Sequence, residues 1–460
     1  MSEPIRACWS RSKVYRVLLI AVVVIGVLRL AVQGLYLGMM LFPESGLLGG
    51  VPTWVGNEDG MVPPDLQIYL TAARHFKQRE GLYLQGSLAR LEEHYPYAPF
   101  FAFLFLPFLW FSTEMVTLIH TLLHIVAYGL LYVCWGRIFD HLRLVRAKRM
   151  LAWTLPVWIL FTHFWSDLAY LNIYLIMTLV GTLFIESVLR ERLGAAVLWL
   201  SLIVQIKPHW AFAVAIPLML GRYRFFFKLV GLALVAYLAV VAGLMAVAGP
   251  TYIAHQYRDY VTFLGRLSRD FPWRTPGAPY LGYNHSIKQI IIYLFGTSSP
   301  WIRVADAVKL LLLVPLGWVC FQQMLHPVKE PGEARPRLSL DLAFALYLGA
   351  FVWLDMVWEV SLGIVIFPYL LATTERRTLR ALIWIVFLPY ALVDLWRALS
   401  FAVLGMDVIA PGPYILTDPS LYVPMVMIVI LVFYFVLIRR VWPAAGTIDT
   451  LRPAEAAKVR

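Results

Sequence analysis

The stretch Val17–Leu41, VLLIAVVVIGVLRLAVQGLYLGMML, follows Arg6, Arg11, Lys13 and Arg16. It is long enough to cross the membrane as one helix, for which about 20 apolar residues suffice. A cleavable signal peptide has a shorter apolar core and a small-residue cleavage site. Neither is seen, so the stretch reads as a retained first span with a cytoplasmic N-terminus. Runs of the same kind recur along the 460 residues, which are 61% hydrophobic and only 14% charged. Soluble domains carry about 25% charged residues, so a water-soluble enzyme is excluded. The balance of 39 Lys+Arg against 27 Asp+Glu gives +12, which in a soluble protein would point to nucleic acid. Here the excess is explained by basic cytoplasmic loops, and no nucleic-acid partner is expected. Cys8, Cys134 and Cys320 show no metal or redox spacing.

Loop charge orders the remaining spans. They are expected near 115–136, 150–164, 168–189, 194–207, 209–221, 226–248, 301–325, 340–354, 356–372, 380–404 and 421–438. Basic connections then fall inside at Arg137 to Arg149, Arg190/Arg192, Arg222/Arg224/Lys228, Lys329/Arg335/Arg337, Arg376/Arg377/Arg380 and Arg439/Arg440. The expected fold is all-α and polytopic, a single-domain bundle of about 12 transmembrane helices. It belongs in the plasma (inner) membrane, with both termini cytoplasmic. Two apolar pieces, 99–111 and 286–296, are too short to cross and read as re-entrant. Two polar loops, 42–97 and 249–285, face outward. With the adjoining re-entrant pieces they extend over about 42–114 and 249–300. Function is expected there, at the outer membrane surface, among membrane lipids.

In the first loop, Pro63-Pro64-Asp65 precedes a helical pattern. Proline cannot continue a helix and Asp is a good N-cap, so a helix is expected to start at Asp65. Two readings are open: Asp65 is only that cap, or its carboxylate takes a proton from a hydroxyl. Tyr69 shares its face at i+4. Glu58 and Asp59 upstream, and Glu92, Glu93 and His94 downstream, are rivals. Lys207, between two apolar segments and before Pro208, is the first cationic candidate, since charge at membrane depth is costly. Lys288 and the arginines at 258, 266, 269 and 274 follow, and Trp273 and Tyr280 are candidates to stack on a sugar. Asp394/Arg397 and Asp306/Lys309, at i,i+3, read as structural pairs. His120 and His124 share a helix face, but without a third ligand they read as packing or helix–helix hydrogen bonds.

Together these residues resemble a known family. Asp65, Tyr69, Ala72-Ala73, Gly81-Leu82-Tyr83, Tyr95-Pro96-Tyr97-Ala98-Pro99 and Leu106-Pro107 are similar to the start of glycosyltransferase family 87, in the GT-C superfamily. Asn172 after Ala169-Tyr170-Leu171 resembles its Gly-Gln-x-Asn element, keeping only the Asn. Ile206-Lys207-Pro208 and Tyr283-Asn284-His285-Ser286 resemble its Lys-Pro and Asn-x-Ser elements. One departure stands out. The family's Trp-x-His-His element is replaced by Trp353 to Ser361, where the histidines are gone and Asp355, Trp358 and Glu359 stand.

The resemblance implies an enzyme that moves a hexose, mannose in the relatives it looks like, from a polyprenyl-phosphate-sugar to a glycolipid or glycan acceptor. It implies Asp65 as catalytic base, with Lys207, Tyr69, Asn172 and Lys288 around the donor phosphate. Tyr97, Asn284, His285, Trp358 and Glu359 are implied contacts to acceptor or sugar, with Glu359 or Asp355 standing in for the missing histidines. The lipid-phosphate sugar is a substrate, no cofactor is expected, and no metal-ligand set is read. Little general-acid help is needed for a phosphate leaving group. A base and fixed positive charge suffice. The alternative is a transporter or flippase of lipid-linked sugars, but repeated halves with midplane charges are not seen.

The topology is checked by cysteine accessibility in a background lacking Cys8, Cys134 and Cys320. Cysteines at 65 and 283 should label from outside, and those at 146 and 376 only after permeabilisation. Labelling at 146 but not at 65 would invert the scheme.

Overall fold

The computed structural model describes residues 3–41, 63–83, 95–325, 334–404 and 418–446, and among them all regular structure is helical. Glu58, Asp59, Glu92, Glu93, His94 and Lys329 lie outside the described residues. In chain order the helices are α1 Glu3–Arg11, α2 Lys13–Leu41, α3 Pro64–Gln78, α4 Pro99–Leu104, α5 Thr113–His141, α6 Val145–Trp153 and α7 Leu155–Leu160. Next come α8 Thr162–Tyr170, α9 Tyr174–Leu189, α10 Leu193–Ile206, α11 Ala215–Met219, α12 Tyr223–Ala248, α13 Pro250–Asp270 and α14 Ile287–Phe295. The last are α15 Ser299–Leu325, α16 Ala334–Trp353, α17 Gly363–Thr373, α18 Arg377–Ala391, α19 Val393–Leu404 and α20 Met425–Gly446. Short 3-10 segments occupy Leu106–Trp110, Pro208–Val214 and Pro419–Leu421.

Five of these helices, α2, α5, α12, α15 and α20, contain stretches long and apolar enough to cross a membrane. Two broken pairs raise the number to seven: Leu155–Tyr170 with α9, bent by 118°, and α18 with α19, bent by 49°. The chain is thus a multi-pass membrane protein whose apolar segments are interrupted more often than loop charge suggests. Residues 150–164 break at Thr154 and Phe161, with Pro156 opening α7. Residues 209–221 form a 3-10 turn and a five-residue helix rather than one span. Of 356–372 only the part from Gly363 is helical. The pieces 99–111 and 286–296 form short helical segments.

The stretch 249–285 is not all loop. Its first part is the helix α13, which buries Ile253, Gln256, Phe263 and Leu267 on one stripe. Inside the bundle, a Cβ on Gly181 of α9 would lie 2.7 Å from the Trp210 ring. The missing side chain lets the fully buried indole lie flat on the helix, the usual role of small residues between membrane helices.

Charges within apolar helices are matched across the fold rather than along one helix. Arg29 of α2 pairs with Asp394 and stacks 4.1 Å over Trp165. Arg397 faces Asp418 at 3.4 Å. The expected Asp394–Arg397 pair is therefore replaced by two longer-range ones. Likewise Lys309 lies 3.9 Å from Asp306 but bonds closely to Asp355. The i,i+3 spacing allows a contact, yet partners that are themselves desolvated hold the charge better.

Candidate active site

The site is built on two interruptions. Leu171 takes the left-handed conformation, φ 52°, which for a residue with a Cβ costs ~1–2 kcal/mol and is held here by complete burial of its side chain. That turn ends α8 and aims α9 away from it. The first N–H groups of α9 lack helical partners, and polar side chains meet them. Ile173 N–H donates to the Tyr69 hydroxyl (3.3 Å), Tyr174 N–H to Asn172 Oδ1 (3.2 Å) and Leu175 N–H to Asp167 Oδ2 (2.8 Å). The Asn172 carbonyl lies 2.6 Å from His124 Nε2. His120 and His124 pack side by side, and His124 Nδ1 also meets the His120 carbonyl at 2.7 Å. His124 thus bonds across to the α8–α9 break, while His120 packs against Phe105 and Phe108.

The second interruption is at Lys207. Steric conflict with Pro208 drives the residue before a proline out of the helical region. Lys207 accordingly has φ −136° and ψ 84° and closes α10. Its ammonium sits 3.2 Å above the Tyr174 ring and 5.0 Å from that of Tyr97.

Asp65 faces these groups. It is not the helix cap: α3 starts one residue earlier, at Pro64, and Pro63 holds the capping position without a side-chain bond. Asp65 lies in the first turn, which frees its carboxylate to hydrogen-bond the Asn172 side chain. With Oδ1 of Asn172 accepting from Tyr174, the donor to Asp65 is the amide nitrogen. Burial pushes the Asp65 carboxyl up to about 6, against the lowering effects of the Lys207 charge and the Asn172 bond. A carboxylate with this affinity is suited to accept a proton near neutral pH. Tyr69 and Tyr97 share a hydroxyl bond of 3.0 Å inside a cage of Phe101 and Phe105, and both rings are almost fully buried. They wall the site, and Tyr97 adds the ring that Lys207 faces.

The other expected residues form a second group. Asn284 Oδ1 accepts the N–H groups of Ser286 and Val357, its amide donates to the Asp355 carbonyl, and Ser286 caps α14. His285 Nδ1 accepts from Val426 N–H. The Asn-x-Ser stretch thereby staples the irregular segment 354–362 to its neighbours. Lys288 donates to the Ser268 carbonyl (2.7 Å) and to Asp355 (3.0 Å) and lies 5.0 Å from the Trp273 ring. Tyr280 stacks under Arg274 at 4.8 Å. Asp355 is held by Lys288, Lys309 and Ser268. Burial raises its carboxyl, but the bonds from Lys309 and Ser268 outweigh that and bring it below the ordinary range. Trp358 is exposed. Glu359 leaves this group and contacts His163 Nδ1 of α8. His163, Asp167 and Tyr174 were missed by sequence reasoning. The available signal was a histidine and an aspartate four residues apart within an apolar run.

A cavity of about 420 Å³ opens beside α3, lined by Leu70, Arg74, Lys77, Phe108 and Val116 among others, and does not include Asp65.

The helical membrane bundle thus gathers a carboxylate and a lysine at two helix breaks. The chain belongs to glycosyltransferase family 87, whose profile matches residues 95–330, about half of the sequence. It is a membrane glycosyltransferase. The matched region includes Asn172, Lys207 and Asn284 and begins after Asp65. No curated protein and no solved structure matches the chain.

The Asp355 cluster generates a stability prediction. Lys309 is 2% exposed and Lys288 6%, so Asp355→Ala strands two buried ammonium groups and should cost about 3–5 kcal/mol. Asp306→Ala, at a half-exposed carboxylate, should cost under ~1 kcal/mol. Chemical denaturation of the two variants in detergent compares them.

Proposed function

We propose that this glycosyltransferase transfers a hexose, mannose by family likeness, from a polyprenyl-phosphate-sugar to a glycolipid or glycan acceptor on the outer membrane face. The observation that carries the reading is Asp65: a carboxylate freed from capping, oriented by Asn172 and set against the buried ammonium of Lys207. The acceptor hydroxyl gives its proton to Asp65 as its oxygen attacks the anomeric carbon from the side opposite the phosphate. The C–O bond to phosphate breaks, and the lipid phosphate leaves as an anion. One displacement inverts the centre, so a β-linked donor gives an α-linked product. Lys207 supplies positive charge to the phosphate, and the N-terminal end of α9 adds a favourable dipole for an anion. Tyr174 and Tyr97 keep the ammonium in place without neutralising it.

Asp65→Asn keeps size and removes the base. Turnover should fall by about two to four decades while donor binding and folding persist. Near-parental turnover would reject Asp65 as base.

Turnover of the parent enzyme should rise as pH increases through about 6, because the base must be ionised, and fall again at higher pH, where burial lets the Lys207 ammonium lose its proton more readily than a free lysine. The groups acting on Asp65 in the structure are Lys207, Asn172, Asp167, Tyr69, Tyr97 and Tyr174. Asn172→Ala removes a bond to the ionised form and should move this limb to higher pH. A pH–rate profile of both proteins decides it, and coincident limbs would remove Asp65 from the titration.

Lys207→Ala should weaken donor binding by at least tenfold, about 1.4 kcal/mol, with Lys207→Arg retaining part. Parental donor affinity in both variants would place the phosphate elsewhere.

A further inference from the structure

Beside the Asp65–Lys207 pair, the described residues hold one group with metal-ligand chemistry: His163, Asp167 and Glu359, whose ligand atoms all lie within 4.8 Å of one another. We propose that these three residues bind a single divalent first-row cation of the Mn²⁺ or Zn²⁺ type.

The geometry is close to what such an ion requires. Ligands ~2.0–2.2 Å from one ion stand roughly 3–4 Å apart, so side-chain rotations that open the close His163–Glu359 contact would admit an ion among the three. His163 and Asp167 are one helical turn apart on α8, the i,i+4 spacing that puts two ligands on one face. Glu359 arrives from the segment 354–362, which Asn284 pins through Val357 N–H and the Asp355 carbonyl. The third ligand is therefore held by its own scaffold rather than by a free side chain.

A second, independent observation comes from His163. It is 1% exposed, its Nε2 has no hydrogen-bond partner, and its Nδ1 meets only the Glu359 carboxylate of the same group. A ring nitrogen buried this deeply without a hydrogen bond is costly, and coordination removes that cost for the nitrogen that binds the ion. Asp167 already has the supporting contacts expected of a metal-binding carboxylate. Its Oδ2 accepts from Leu175 N–H and faces His124 Nε2 at 3.5 Å. Both contacts use Oδ2 and leave Oδ1 for an ion.

Charge points the same way. Two carboxylates, Asp65 and Asp167, act on Lys207, which also acts on His163, and Glu359 adds a third carboxylate beside Asp167 and His163. A divalent cation offsets the excess. One nitrogen and two oxygens suit Mn²⁺ or Zn²⁺ better than a soft ion. Three protein ligands leave positions open for water or an anion. On the reading given under Proposed function, that anion is the donor phosphate, which the ion and Lys207 hold together.

The test is metal binding by the full-length protein in detergent, stripped with chelator and dialysed against Mn²⁺. One Mn²⁺ per chain is expected, with ¹⁴N coupling from a histidine in pulsed electron paramagnetic resonance. Glu359→Gln and His163→Ala should each weaken Mn²⁺ binding by more than tenfold, and His163→Ala should abolish the nitrogen signal. No saturable Mn²⁺ binding, bound Mn²⁺ without nitrogen coupling, or unchanged affinity in both variants would each overturn the site and leave a plain His163–Glu359 hydrogen bond. If a variant fails to fold, the nitrogen signal of the parent chain still decides. No turnover is measured, so a failure here leaves the glycosyl-transfer reading standing, and an inactive Asp65 variant leaves the metal site untouched.

Discussion

Everything around the site depends on satisfying the backbone where α8 gives way to α9. Within an apolar bundle, an N–H or C=O released by a helix break has no water to turn to and must find a side chain. The break at Leu171 releases three N–H groups and a carbonyl. Their partners are Tyr69, Asn172, Asp167 and His124. Polar side chains are therefore fixed by the fold's own hydrogen-bonding needs, and their remaining atoms face one another. Asn172 shows the principle most plainly: one end of its amide caps α9, and the other orients Asp65.

Lys207 is held among aromatic rings, with the Asp65 and Asp167 carboxylates acting on its charge against the effect of burial. Two aromatic rings hold the ammonium, and neither is an acceptor that would cancel it. Lys288 and Lys309 are treated in the opposite way. Both converge on Asp355, together with Ser268, and anchor the segment that delivers Glu359. One group of charges is thus committed to structure, and the other is the group on which the proposed chemistry rests. A glycosyltransferase working at a membrane gains from this division, because the electrostatic field at its site is set before substrate arrives.

The sequence by itself determined the helical membrane class, since no other fold hides so much apolar surface with so little charge. It also marked Asp65, by the prolines before a helix, and Lys207, by a Lys-Pro break, while Asn172 was marked only by resemblance to the family's Gly-Gln-x-Asn element. The shortness of 99–111, bracketed by prolines, and of 286–296 was legible from the length of each apolar run. What the sequence could not supply was any pairing between residues distant in the chain. Arg29 with Asp394, Lys309 with Asp355 and His163 with Glu359 are separated by tens to hundreds of residues, and periodicity carries no information about such contacts. That Asp65 does not cap its helix also waited for the structure, because capping and catalysis begin from the same Pro-Asp pattern. Only the one-residue shift of the helix start, and the amide of Asn172 across the bundle, turned that carboxylate toward the site.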